Sequence, residues 1–240
     1  MSVARNPHSL PRITRSGAGI VNASIWDVGT PERQRAAVDA IAAAWERRDW
    51  PDENLLSYSA YIGDDGRTLF HYSQWTDEES YRTWLRGARS DTVTEIDAAV
   101  PGIERLWLHT YQLYRNRGGS AGDAGRVPGA IIVIDIEFDG PDPARQRAWV
   151  DGVFEALESD PAPAPGGISG HFHVSLDGTR VLNYAEWESA QAHIDALAGG
   201  EGIGSATPEW HRVQSFPGVT GIGMKRYTPA LSLSGVAVGA

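Results

Sequence analysis

The sequence predicts an α+β fold built from two tandem ferredoxin-like βαββαβ domains. Three observations carry that prediction. The chain repeats itself, each copy starts with an alternating strand that runs into a proline-started helix, and each copy holds an Asp-Gly turn between two further alternating runs. Its 240 residues suit two domains of about 110 residues each.

The repeat emerges when the chain is laid over itself with a shift of 112 residues. Gly17-Ala18 falls on Gly129-Ala130, and Pro31-Glu32-Arg33-Gln34-Arg35-Ala36 falls on Pro143-Ala144-Arg145-Gln146-Arg147-Ala148. Asp65-Gly66 falls on Asp177-Gly178, Tyr72 on Tyr184 and Trp75 on Trp187. This register needs no gap from Gly17 to about Gly87. After a four-residue insertion in the second copy, Pro101-Gly102 meets Pro217-Gly218 and Tyr111 meets Tyr227. Chance does not keep one offset over such a stretch, so the chain is a tandem duplication.

The elements follow in order. Ile20 to Val28 and Ala130 to Phe138 alternate as strands do. Thr30 and Asp142 are helix N-caps, followed by Pro31 and Pro143 at a position where the missing N–H costs nothing. Val38, Ile41 and Trp45 recur at helical spacing, as do Val150, Val153, Phe154 and Leu157. The Asp-Gly pairs are two-residue hairpin turns. Thr76 with Glu79 reads as a capping box for one further helix carrying Tyr81, Trp84 and Leu85, and a closing strand ends each copy. Composition sets the boundaries: a flexible leader over 1–16, a first domain over 17–114, a glycine-rich linker over 115–128, a second domain over 129–228 and a weakly patterned tail over 229–240.

Composition also excludes function classes. With 21 basic against 31 acidic residues the net charge is −10, which repels a nucleic-acid backbone. The absence of cysteine rules out disulfides, Cys-ligated metal and a thiolate nucleophile. No apolar run nears the roughly 18 residues that cross a membrane, and the leader has no signal-peptide core, so a cytoplasmic protein is expected. Nine tryptophans and eight tyrosines suit a small, flat, apolar ligand.

Strand parity assigns faces. Tyr58, Ala60, Ile62, Leu69, His71, Ser73 and Trp75 share the face expected under the helices. So do Gly170, Phe172, Val174, Val181, Asn183, Ala185 and Trp187. In the first strands, Asn22 in one copy and Ile134 in the other fall on that face. Asn22, His71 and Asn183 are thus polar groups among core residues, each either satisfied by a neighbour or lining a pocket. The opposite face, with His171, His173 and Glu186, needs a partner sheet, and two copies in one chain can supply each other, sheet facing sheet.

With Tyr72-Ser73-Gln74-Trp75 and Tyr184-Ala185-Glu186-Trp187 closing the third strand, the chain resembles the antibiotic biosynthesis monooxygenase superfamily. That resemblance implies a dimeric α+β barrel, here an intramolecular pseudo-dimer. It extends to the cofactor-independent anthrone oxygenases, whose Asn-x3-Trp-x5-Tyr pattern is matched in part by Asn183, Trp187 and His193, and in part by His71, Trp75 and Tyr81, with Asn22 in the first strand. It implies an enzyme of antibiotic biosynthesis that oxidises an aromatic polyketide-type substrate with O2, without flavin, haem or metal. A deprotonated anthrone or phenol can itself give dioxygen an electron. The protein then has to hold the rings, take a proton and stabilise the anion. Asn183 and the Trp187 indole are the expected donors, and His193, or His71 in the other copy, has an ordinary imidazole pKa suited to the proton. The second copy is favoured as the active one, because its strand is apolar around Asn183.

Three alternatives stay open. A haem enzyme of the same superfamily would need His193 as axial ligand. A metal could sit at His171 and His173 with Glu186 nearby. The same barrel could also serve as a polyketide cyclase or a non-catalytic binding module. Further association of whole chains into a homo-oligomer is open as well.

Overall fold

A computed structural model describes residues 2–5, 10–51, 53–87, 89–118, 127–160, 163–200 and 202–236. In chain order the elements are β1 (Ser2–Arg5), β2 (Ile20–Asp27), α1 (Pro31–Glu46), β3 (Leu55–Gly63), β4 (Thr68–Trp75), α2 (Glu78–Arg86), α3 (Arg89–Ala99) and β5 (Glu104–Arg117). They continue with β6 (Ala130–Phe138), α4 (Pro143–Ser159), β7 (Gly167–Ser175), β8 (Arg180–Trp187), α5 (Ala190–Ala198), α6 (Pro208–Gln214) and β9 (Val219–Val236). The fold is mixed α+β, and the element order from β2 to β5 is repeated from β6 to β9.

Local chemistry explains the shared elements. The Thr30 hydroxyl accepts from the Arg33 N–H, and Asp142 accepts from Ala144 and Arg145, so both expected caps form, each followed by its proline. Gly66 and Gly178 take the left-handed conformation at the hairpin tips, with φ of 69° and 78°. Both hairpins also carry an irregularity at the same place, Leu55/Ser57 and Gly167/Ser169.

The chain forms two compact units, Met1–Thr110 with Tyr227–Ala240, and Tyr111–Arg226. In the first unit the sheet order is β1-β9-β3-β4-β2-β5, and in the second it is β5-β7-β8-β6-β9. The start of β5 and the end of β9 belong to the first unit, and their other parts belong to the second. Tyr111 pairs with Ser175 and Tyr227 pairs with Gly63, which are equivalent places in the two repeats. In the first unit, Val38, Ile41 and Trp45 of α1 pack with Ile20, Ala60, Leu69 and Trp75. In the second, Val150, Val153 and Phe154 of α4 pack with Ile136, Phe172 and Val181.

Several expectations are corrected here. The domain boundaries drawn from composition, 17–114 and 129–228, give way to units divided within strands. Glycine-rich composition marks where strands end, whereas pairing decides which unit they join. Within the expected leader, Ser2–Arg5 pairs with β9, Ile13 is buried and the Gln74 amide donates to the carbonyls of Arg12 and Ile13. Residues 6–9 lie outside the described residues. In the expected linker 115–128, Arg115–Arg117 continue β5, while 119–126 lie outside the described residues. The expected tail 229–240 continues β9 to Val236, and 237–240 lie outside the described residues.

The single second helix of each copy is two. Gly87 ends α2, and the glycines from Gly199 to Gly204, three of them at positive φ, separate α5 from α6. The cap of α2 is Asp77, which accepts from the Ser80 N–H, in place of Thr76. The gapless register also slips. Asn22 pairs with Ser73, whereas Ile132 pairs with the equivalent Ala185. Gly19 crowds the Thr76 carbonyl just as Gly129 crowds that of Glu188. The first strands therefore match with a shift of 110, and Asp139-Gly140 is a two-residue insertion before α4. An even slip preserves strand parity, so the face assignment survives it. Ile132, not Ile134, stands where the first repeat has Asn22. Among the described residues no helix is long and apolar enough to cross a membrane.

Candidate active site

A cavity of about 90 Å³ lies within the first unit, between its sheet and its helices. The sheet side is Asn22, Ser24 and Trp26 from β2, Tyr58 from β3, and His71, Ser73 and Trp75 from β4. All belong to the face that parity placed under the helices. The small Ser24 and Ser73 lie among much larger neighbours and leave the space. Helices and β5 close it with Trp45 from α1, Tyr81 and Trp84 from α2, Arg89 and Thr92 from α3, and Arg105, Trp107 and Leu108 from β5. The aromatic wall is already assembled. Trp75 meets Tyr81 edge-on at 5.4 Å, Tyr81 stacks on Trp84 at 6.2 Å, and Trp84 stacks on Trp45 at 6.2 Å. Such a lining favours flat rings.

Asn22 and His71 are buried polar side chains in that lining, each with one atom left unpartnered. The Oδ1 of Asn22 accepts from the Thr110 hydroxyl at 2.7 Å, which fixes the amide orientation, and its Nδ2 is buried with no protein partner. Leaving such a group unpaired costs about 1–3 kcal/mol. His71 Nδ1 lies 2.8 Å from the Tyr58 hydroxyl, and its Nε2 is also buried without a partner. Its ring sits 4.1 Å from that of Trp26, over which the Arg105 guanidinium lies at 4.7 Å, itself paired with Asp97 at 2.7 Å. Burial pushes the His71 imidazole down to about 3, with the Arg105 charge acting the same way. The ordinary imidazole basicity expected of this residue is therefore absent. Burial raises the hydroxyls of Tyr58 and Tyr81, partly opposed by Arg89. The Trp75 indole N–H is engaged by the Ser73 hydroxyl at 3.1 Å.

The second repeat is built differently. Asn183 pairs with Ile134 and Phe172, and its Oδ1 is buried without a partner. Trp187 meets His193 edge-on at 4.8 Å, and the Arg226 Nε–H donates to His193 Nδ1 at 3.2 Å. Burial, helped by Arg226, pushes this imidazole down to about 4, so it too lacks the expected basicity. Where the first repeat has Trp45, Tyr58 and Trp84, the second has Leu157, Gly170 and Ala196. Around Trp187 the packing is with Ala130, Ile132, Ala185, Ala192 and Ala196.

On the opposite face, His171 and Glu186 are fully buried, with Nε2 3.8 Å from the carboxylate. The Ser169 hydroxyl bonds to both, at 2.9 and 2.6 Å. The His173 Nδ1–H faces the Leu182 carbonyl at 3.3 Å. The two imidazoles are thus drawn to different partners, and among the described residues no group of three His, Asp or Glu is placed to hold a metal ion.

Parity in β2 could have drawn Trp26 into the site list beside Asn22, and the helical spacing Trp84 beside Tyr81. Thr110, Arg89 and Arg105 carry no such signal, because they reach the cavity only through tertiary packing.

No family model matches the chain. It is 40% identical over 62 residues to a tetracenomycin-F1 monooxygenase of Streptomyces glaucescens, covering 26% of this chain and 55% of that protein. The chain thus spans about half the length of this curated relative. An anthrone oxidase-like protein superposes with a TM-score of 0.68 at 16% identity, over 93% of this chain and 97% of the other. A candidate monooxygenase of Lactobacillus acidophilus superposes with a TM-score of 0.54 at 10% identity, over 92% and 100%. At these identities the two solved structures show a shared fold.

Proposed function

We propose that the chain is a member of the antibiotic biosynthesis monooxygenase superfamily and an oxygenase that converts a flat aromatic substrate of the polyketide type, an anthrone or phenol, to a quinone with O2 and no bound cofactor. The observation that carries the reading is the first-repeat cavity, an aromatic enclosure whose lining holds Asn22 Nδ2 and His71 Nε2, buried and without protein partners. The names of the relatives, a tetracenomycin-F1 monooxygenase and an anthrone oxidase-like protein, support the substrate class.

The chemistry balances without an added redox group. Loss of a proton from an anthrone methylene leaves a delocalised anion, which passes one electron to triplet dioxygen. The radical pair joins in a carbon–oxygen bond, and the peroxide takes up a proton. Loss of water then breaks the O–O bond and leaves a carbonyl. The substrate has lost two hydrogens and gained one oxygen atom, and the other oxygen is in water. The protein's part is to hold the rings, limit water and stabilise the anion. Trp75, Tyr81 and Trp84 would hold the rings, while Asn22 and His71 would face the carbonyl oxygen on which charge collects. This reading assigns the reaction to the first repeat, contrary to the preference drawn from Asn183. The second repeat, with Asn183, Trp187 and His193, would be kept as a structural partner. The duplication supports reading the chain as a one-chain counterpart of a two-chain member of the superfamily.

The test is a panel of anthrones and naphthols, with oxygen uptake and product mass followed together. One O2 consumed per product, with the product heavier by one oxygen and lighter by two hydrogens, is expected, and a chelator should not change the rate. Turnover without oxygen uptake, as by a cyclase, or binding without turnover overturns the proposal.

A further inference from the structure

Two of the unpartnered polar atoms of the cavity lining, Asn22 Nδ2 and His71 Nε2, share one design. Each belongs to a side chain whose other polar atom is held by a hydroxyl: Thr110 on Asn22 Oδ1, and Tyr58 on His71 Nδ1. For the amide the consequence is immediate. An oxygen that accepts from Thr110 turns the N–H2 the other way. For the imidazole it depends on where one hydrogen lies, which proton accounting decides.

Tyr58 and His71 are diagonal neighbours on the β3–β4 pair, for Tyr58 lies opposite Ser73 and His71 opposite Ala60. With a serine and an alanine as the directly opposed residues, the tyrosine ring has room to lean along the strand, and diagonal pairs are within reach of long aromatic side chains. Two arrangements satisfy the 2.8 Å contact. If the hydrogen is on Nδ1, the ring donates to Tyr58, and the phenol hydrogen must find another acceptor in a buried setting. If Tyr58 donates to Nδ1, its hydrogen is satisfied, and a neutral ring carries its own hydrogen on Nε2. The first arrangement leaves both the phenol hydrogen and the Nε2 lone pair unpaired, whereas the second leaves only the Nε2–H without a protein partner. We infer that Tyr58 is a positioning residue that holds His71 with its hydrogen on Nε2, so that His71 presents a donor to the cavity beside Asn22 and not a base.

Charge around the ring supports a neutral donor. The Tyr58 phenol from β3 touches the ring, the Arg105 guanidinium from β5 lies across Trp26, and the other titratable groups lining the cavity are the Tyr81 phenol from α2 and Arg89 from α3. The nearby carboxylate, Asp97, is bound to Arg105. Burial first, and then the Arg105 guanidinium, oppose a second proton on this ring, which lies in hydrogen-bond contact with a neutral phenol. Neutral N–H donors fixed in advance suit a developing oxyanion in a site poor in water. Placing that oxyanion on a substrate rests on the oxygenase reading above. The position of the hydrogen does not.

The test uses the full chain labelled with 15N-histidine, the His71 signals being assigned with His71→Gln. Long-range 1H–15N spectra should show the pattern of hydrogen on Nε2 and an acceptor at Nδ1, unchanged from pH 8 to pH 5. In Tyr58→Phe the ring should become a mixture of the two neutral tautomers. Turnover should drop about tenfold or more with KM within a few-fold, the size of one lost oriented hydrogen bond. His71→Gln, which supplies an N–H near the Nε2 position and no base, should keep activity within about tenfold. A wild-type spectrum with hydrogen on Nδ1 overturns the inference, whether or not Tyr58→Phe folds. A Tyr58→Phe spectrum identical to wild type, or loss of all turnover in a folded His71→Gln, also overturns it. If no aromatic substrate is oxidised while the spectra behave as expected, the oxygenase reading fails and the tautomer assignment stands.

Discussion

Acid should unfold this protein through its buried histidines before most carboxylates contribute. His71 and His173 are held near 3 and His193 near 4, in each case chiefly by burial. An unfolded histidine titrates near 6.5. The folded values are depressed, so the stability is present above the unfolded value and is lost as pH falls toward 3 to 4. Around pH 5 the unfolded chain binds almost one more proton than the folded chain at each site. Each proton gives a slope of about 1.4 kcal/mol per pH unit, and three give about 4. Burial raises the Asp135 carboxyl and offsets a small part of this. Against a typical total of about 5–15 kcal/mol, moving from pH 7 to pH 5 should remove a large fraction of the stability. Urea unfolding followed by tryptophan fluorescence at pH 8, 7, 6 and 5 measures the slope directly. The free energy should be nearly flat from pH 8 to 7 and fall by about 3–4 kcal/mol from pH 6 to 5. A fall of less than about 1 kcal/mol over that last unit would refute the reasoning, and with it the treatment of His71 as an uncharged group in the site.

Other outcomes can be checked alongside. Asn22→Ala removes a donor from the cavity and should lower kcat by about 10²–10³-fold in the oxygen-uptake assay, whereas Asn183→Ala should stay within a few-fold; the reverse order would move the reaction to the second repeat. Thr110→Val frees the Asn22 amide to turn and should cost about tenfold in kcat, with Thr110→Ser restoring most of it. If Thr110→Val leaves kcat unchanged, the amide is held by something else. A Cβ on Gly19 would come within 2.1 Å of the Thr76 carbonyl, and one on Gly129 within 2.3 Å of that of Glu188. Gly19→Ala and Gly129→Ala should therefore each lose about 2 kcal/mol or more in urea unfolding, and an unchanged midpoint in either would contradict the 110-residue match of the first strands.

What could be read from the chain alone was whatever depends on neighbours in sequence. Proline after a capping Thr30 or Asp142 starts a helix, Asp-Gly turns a hairpin, and period-two alternation sorts Asn22, His71 and Asn183 onto the face beneath the helices. These rules act over a few residues, so they survive without knowledge of the rest, and the duplication made each of them visible twice. Parity even survived the unseen Asp139-Gly140 insertion, because a slip of two returns every side chain to its own face.

Distant partners decided the remainder. Composition placed boundaries at glycine-rich stretches, yet Tyr111 and Tyr227 carry their strands on to pair with Ser175 and Gly63. The ladder that completes a strand is formed with residues far along the chain, and local sequence does not name them. The same holds for the site. The flanking residues favoured Asn183, whereas the tryptophans that wall the first-repeat cavity on which the proposal rests, Trp26, Trp45, Trp84 and Trp107, come from four elements far apart in sequence. His71 was assigned the basicity of a histidine in water, and burial removes it. The sequence by itself determined which side chains share a face; only the tertiary structure decided which of them are dry, which are paired and which are left facing a cavity. Desolvation and hydrogen-bond completion depend on everything that surrounds a group, and most of those surroundings are not its neighbours in sequence.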